Sequence, residues 1–206
     1  MTEPKRNKSL GFRLTLDPEH PYLAERGISP EHALLFGLGF CATGPMAGRI
    51  CIPIENAEGK LVAYAGRWVG TDAELPEGEE KYKLPRAFHK TLELWNLARV
   101  KHCKHLIVVE GYFGAMRLHG LRLPAVALMG SSLSDEQVAL LRDCPALRFV
   151  TVMLDGDEAG QKAGDIIAAQ LAKHWWTRIV PLPDGTQPDT VEQSVLKQLL
   201  GRSQRE

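Results

Sequence analysis

Two apolar runs that each stop at a carboxylate constrain this chain more than any other feature. Leu106, Ile107, Val108 and Val109 lead into Glu110 and Gly111, and a run from Phe149 to Leu154 leads into Asp155, Gly156 and Asp157. Both runs have the length and β-branched content of strands, and an amphipathic helical pattern follows each. The pattern predicts strands over 106–109, 125–128, 149–154 and 178–181, alternating with helices over 112–119, 134–142 and 159–174. Such alternation gives a largely parallel sheet with helices packed on it, an α/β fold. Ligands of these sheets bind beyond the carboxyl ends of the strands. If the two runs are neighbouring strands, Glu110, Asp155 and Asp157 meet there.

That donor set is all oxygen, which suits Mg²⁺ or Mn²⁺. Asp155 and Asp157 flank a glycine and can reach one metal ion. Glu110 serves as a further ligand or as a general base toward an attacking hydroxyl. The three are the expected catalytic residues. Cys41, Cys51, Cys103 and Cys144 form no close CxxC pair, so neither a zinc site nor a disulfide framework is expected. His102, Cys103 and His105 read as a loop or strand edge with solvated histidines.

The formal net charge is zero, from 25 basic and 25 acidic side chains, so overall charge carries no signal about partners. Its distribution does. Residues 81–104 hold seven Lys or Arg against Glu93 alone, and a basic stretch beside an acidic metal pocket suits a polyanionic substrate. No stretch has the length and apolarity of a membrane span and no signal peptide opens the chain, so a cytoplasmic protein with no membrane partner is expected.

Ahead of the alternating region the pattern is mixed. A short helix follows Pro21 and stops at Gly27, and Ser29 with Pro30 marks a second helix start. Residues 49–54 and 61–65 read as a hairpin, with Pro53 at an edge or irregular position. Residues 91–98 have a short helical pattern through Leu92, Trp95 and Leu97. Of the adjacent Trp175 and Trp176, at least one ring is expected in the core. The reading divides the chain into a basic amino terminus (1–16), a smaller mixed α+β lobe (17–104), the parallel-sheet domain (105–182), and an acidic loop with a terminal helix (183–206).

The run Val109 to Tyr112, the loop from Ala127 to Ser132 and the segment Leu154 to Gly160 together resemble the Toprim module shared by bacterial primases, topoisomerases and some nucleases. Tyr22 to Ile28, Gly48 to Ile54, Gly66 with Arg67, Lys81 with Tyr82, and Phe88 to Lys90 resemble the amino-terminal lobe of the DnaG-type primase core. Leu182 to Asp189 is similar to that family's late acidic loop. The resemblance runs from about residue 22 to residue 200.

The resemblance implies a Toprim-type sheet preceded by a mixed lobe, and template-directed joining of ribonucleoside triphosphates on single-stranded DNA. It matches Glu110 to the acid/base glutamate and Asp155 and Asp157 to the metal-binding pair. Asp184 and Asp189 fall in the late loop, with Asp189 a metal ligand. Arg49, Arg67, Lys81 and Lys90 match basic positions that contact nucleotide or nucleic acid, and Lys83, which with Leu84 and Pro85 departs from the family's usual Leu-Asn-Ser, is expected to join them as a contact. The chain departs from the family at Gly114, where an aspartate is usual, and at Gln187 and Thr190, where acids are common. It contains no match to the family's zinc-binding and helicase-binding domains, so a separate zinc-domain protein or helicase is an expected partner. A phage, mobile-element or defence setting suits this small format. Two alternatives remain: a catalytically reduced nucleic-acid-binding or assembly subunit, and a Toprim metal-dependent nuclease.

Overall fold

A computed structural model describes residues 6–201. The chain forms two units, which divide between His89 and Lys90.

In the first unit, α1 (Pro21–Glu25) and α2 (Pro30–Phe36) start where the sequence puts their caps. Ser29 Oγ accepts from the His32 amide at 3.3 Å, Pro30 fills the first turn, and Gly37 ends α2 in the left-handed region at φ 67. Four antiparallel strands follow in the order β1 (Gly39–Cys41), β2 (Arg49–Glu55), β3 (Leu61–Trp68) and β4 (Tyr82–Lys83). The β2–β3 hairpin turns on Asn56, whose Oδ1 accepts from the Glu58 and Lys60 amides. β1 pairs with β2 only as far as Cys51. Pro53, which has no N–H to give, lies past the point where that pairing stops and remains in register with Tyr64 of β3.

The second unit holds β5 (His105–Val109), β6 (Ala125–Ala127), β7 (Phe149–Val152) and β8 (Trp176–Ile179) in one parallel sheet of order β6-β5-β7-β8. β5 and β7 are neighbours, paired Leu106 to Val150 and Val108 to Val152. This pairing brings the two carboxylate-bearing strand ends side by side. Between the strands run α4 (Tyr112–Gly120), α5 (Asp135–Arg142) and α6 (Glu158–Leu171), and α7 (Gln193–Gly201) is the last helix among the described residues. The small α3 (Leu97–Val100) precedes β5. Ser134 and Gln137 form the reciprocal capping box that the sequence signals for α5. No helix among the described residues is long and apolar enough to cross a membrane.

Three expectations change. The helical pattern over 91–98 resolves into one 3-10 turn at Lys90–Leu92 and the single turn of α3. Asn96 adopts φ 72 between them, and Trp95 instead forms an antiparallel bridge with Ala127. Residues 90–104, expected in the first lobe, belong to the second unit. The buried Gln137 amide donates to Glu93 O at 2.8 Å, and Asn96 donates to Ala125 O at 2.9 Å. Neither indole of the Trp175–Trp176 pair is buried: Trp175 is half-buried and Trp176 is 79% exposed. β8 is an edge strand, so the sheet supplies nothing on its far side to cover that ring.

Candidate active site

Glu110 is the first residue past β5, and its backbone is fixed before its side chain is considered. The carbonyl of Glu110 accepts from the Met129 amide at 3.0 Å, and Val109 O accepts from the Leu128 amide. The loop after β6 is thereby bound across the end of β5, with Met129 held at φ 62, an uncommon value for a residue with a side chain. The Glu110 carboxyl is half-buried and held above the usual carboxylate range, first by burial and then by Asp157, with Lys90 opposing.

Asp155 lies in the segment that follows β7. Its carboxyl is pushed up to about 6 by burial, by Glu110 and by Asp189, while a hydrogen bond from Gln187 works the other way. That bond, Gln187 Nε2 to Asp155 Oδ2, measures 2.6 Å. Two backbone bonds tie the same segments together: Gly156 N to Thr186 O at 2.8 Å and Gly185 N to Gly156 O at 2.9 Å. A Cβ on Gly156 would run into Pro183 O, so the closeness of the strands' end to the late loop requires glycine.

Asp157 is exposed and has a second task. Its Oδ1 accepts from the Gly160 amide at 2.7 Å and caps α6. Asp189 is half-buried near Asp155, whereas Asp184 is exposed at the tip of the late loop. Glu110, Asp155, Asp157 and Asp189 therefore act on one another electrostatically, yet no three His, Cys, Asp or Glu side chains among the described residues are close enough to share a metal ion. The carboxylates repel one another, and two of them are engaged by Gln187 and by the α6 amide. The donor chemistry fits a hard cation that keeps part of its water shell. His102, Cys103 and His105 form no such cluster either, and His105 Nε2 is hydrogen-bonded to Thr151 Oγ1 at 2.7 Å.

The basic residues separate into two groups. Lys90 belongs to the carboxylate site: it acts on Glu110, and its Nζ lies over Gly130, 2.8 Å from where a Cβ would stand. Arg49, Arg67, Lys81 and Lys83 are in the first unit. Arg49 is not placed to contact a ligand. It is 3% exposed, and its guanidinium donates to Gly66 O, Glu80 O, Lys81 O and Glu79 Oε2. Arg67 is half-buried, donating from Nε to Tyr22 Oη at 2.9 Å and lying over the Tyr82 ring. Lys83 pairs with Glu79 at 2.9 Å, and Lys81 is exposed.

Sequence reasoning recorded Gln187 only as a missing acid and did not single out Arg117 or Pro188. Pro188 fills the space beside Gly114, and Arg117 of α4 donates to Pro188 O at 3.2 Å. The signal was the pairing of two departures, Gly114 on α4 and Gln187 on the late loop, since Gly114 meets Pro188, the residue that follows Gln187.

Comparison with known proteins places this geometry. Residues 107–192 match the Toprim-like family. A DNA primase of Myxococcus xanthus is 30% identical over 213 residues, covering 82% of this chain and 34% of that protein. One of Pseudomonas putida is 31% identical over 216 residues, covering 82% and 32%. The chain thus spans about a third of the length of the curated relatives it matches. The Aquifex aeolicus primase structure, comprising zinc-binding and RNA polymerase domains, superposes with a TM-score of 0.73 at 27% identity, covering 88% of this chain and 55% of that one. The Escherichia coli primase catalytic core, at 24% identity and a TM-score of 0.72, has the same fold over 90% of this chain and 72% of its own. This chain carries a Toprim-like domain over residues 107–192 and resembles, through both of its units, the catalytic core of the bacterial DNA primases.

Proposed function

We propose that this chain is a primase-type nucleotidyltransferase core that joins ribonucleoside triphosphates on a single-stranded DNA template. The observation that carries this reading is the convergence of Glu110, Asp155, Asp157 and Asp189, with Lys90 beside them, past the ends of two adjacent parallel strands. Glu110, Asp155, Asp157 and Asp189 are the residues to hold Mg²⁺ or Mn²⁺. When bound, the metal supplies positive charge against the triphosphate and the departing pyrophosphate.

The chain's own groups do the rest. Glu110 is buried enough to hold a proton more readily than a free glutamate, which fits it to accept one from a primer 3′-hydroxyl. Lys90 presents an ammonium to a phosphate above the Gly130 loop. Gln187 orients Asp155 through its amide. Lys81 of the first unit is exposed and is the basic residue proposed there for contact with template or nucleotide. A zinc-domain protein or helicase is the partner class proposed, since the Aquifex aeolicus primase structure carries a zinc-binding domain beside its RNA polymerase domain.

Two observations favour a second reading. Gln187 occupies an oxygen of Asp155, and Gly114 contributes no carboxylate; both reduce the negative charge available to a second cation, as a reduced assembly subunit would show. A priming assay on single-stranded DNA with labelled ribonucleotides and Mg²⁺ or Mn²⁺, alone and with a neighbouring zinc-domain or helicase protein, separates the two. Short products lost in Asp155→Asn establish the polymerase. Their absence under every condition establishes the reduced form, and degraded template establishes a nuclease.

A further inference from the structure

The parallel strands have two ends, and the one opposite the carboxylates is basic and aromatic. An open cleft of about 710 Å³ there is lined by Arg142, Arg148, Lys173, His174, Trp175 and Trp176, among others. Arg142 ends α5, Lys173 and His174 follow α6, and Arg148 leads into β7. Within 142–149 and 172–178 the one carboxylate is Asp143. Arg142, Arg148 and Lys173 make no ion pair among the described residues.

The charges alone have a simpler account, because cations at helix carboxyl ends offset the helix dipole. The rings do not. Trp176 is 79% exposed and Phe149, its partner in the β7–β8 register, is 50% exposed. Trp175 stands half-buried with the His174 ring edge-on at 5.3 Å. Leaving these faces in water is unfavourable without a ligand for them.

We propose that this cleft is a second nucleic-acid contact surface, which takes unpaired bases on the indole of Trp176 and phosphates on Arg142, Arg148 and Lys173. Stacking on exposed rings combined with backbone cations is how single strands are bound without sequence preference. An acidic polypeptide fits less well. Arg148 Nη1 already donates to Pro145 O and Leu147 O, which leaves a fixed charge rather than a free fork for carboxylates. Arg148 and Asp155 stand at opposite ends of β7, roughly 20 Å apart along an extended strand, so the surface is separate from the carboxylate site. The inference rests on the primase-type reading only for its choice of polyanion.

The test is equilibrium binding of a labelled, mixed-sequence single-stranded oligodeoxynucleotide to the whole chain, with chelator and without nucleotide. Trp176→Ala should weaken binding by about 5- to 150-fold, and Trp176→Phe should restore most of it. Arg142→Glu with Lys173→Glu should make the salt dependence shallower by about 1.4 in log–log slope. Wild-type affinity and slope in all these variants, with folding verified by circular dichroism, would overturn the proposal. So would displacement by polyglutamate as effective as by DNA of equal charge, which would identify an acidic protein partner instead. Loss of priming with intact Trp176-dependent binding would count against the primase-type reading alone; priming with no dependence on Trp176 would count against this surface alone.

Discussion

Pro188 of the late loop occupies the place a side chain at position 114 would take: a Cβ on Gly114 would lie 2.9 Å from Pro188 Cβ. The late loop and α4 are packed to backbone distance here. A side chain at this position is crowded by the late loop, and the same loop brings Gln187 to Asp155.

Gly114 offers a test in which two rules give opposite signs. Helix propensity alone says that Gly114→Ala should stabilise α4 by about 1 kcal/mol. The packing says it should destabilise, by about 1–3 kcal/mol for an overfilled contact. We expect a lower melting temperature for Gly114→Ala and Gly114→Asp, with a smaller loss in a Pro188→Gly background. A melting temperature raised by Gly114→Ala would show that the loop yields freely.

Asp155 sets a pH dependence in metal-free protein. Its carboxyl stands at about 6 in the folded chain against 3.8 as the ordinary value. Between these pH values the folded state binds more protons than the unfolded one, so this group makes stability fall as pH rises from about 4 to about 6. Above that range its charge is a standing penalty. In chelator at pH 8, Asp155→Asn should melt higher than wild type, and the gap should close toward pH 4.

Gln187→Glu replaces a donor with a second acceptor against Asp155 Oδ2. Two facing carboxylates repel, so the variant should melt lower than wild type in chelator and gain more from added Mg²⁺. Differential scanning fluorimetry with and without Mg²⁺ reads both quantities. An equal Mg²⁺ gain in the two proteins would mean that residue 187 lies outside the reach of the cation.

Asp157 allows folding to be separated from chemistry. Asparagine is as good a helix cap as aspartate, whereas alanine costs about 1 kcal/mol. Asp157→Asn should keep the melting temperature and lose metal-dependent activity; Asp157→Ala should lose both. Full activity in Asp157→Asn would remove this residue from the metal site.

Arg49 predicts a stability effect where the sequence suggested a binding effect. Its guanidinium reaches four acceptors across residues 66–81, a fork that lysine cannot reproduce. Arg49→Lys should cost about 2–4 kcal/mol in denaturant unfolding, and at temperatures where it remains folded its DNA affinity should match wild type. An undiminished unfolding midpoint with weakened DNA binding would return Arg49 to the ligand surface.

The chain was legible where its strands and helices carry local signals of periodicity or capping. Ser134 with Gln137, Ser29 with Pro30, and the two carboxylate-ended runs all specify their structure locally. The carboxylate cluster followed from topology, since neighbouring parallel strands bring their ends together. What the sequence concealed depends on contacts far along the chain. Arg49 looks like a surface cation until Glu79, Glu80 and Lys81 fold over it. Trp95 fits a helical pattern until Ala127 offers a backbone bridge. Trp176 reads as core until β8 turns out to be the last strand of its sheet.

The close fit of Gly156 under Pro183 has a consequence in time as well as space. Residues 155–156 and 183–187 share two main-chain bonds and an amide–carboxylate bond, with no room between them for a methyl group. Segments so joined open as one cooperative unit. The amides of Gly156 and Gly185 should then exchange with solvent at a common rate, and whatever steadies the late loop steadies Asp155 with it.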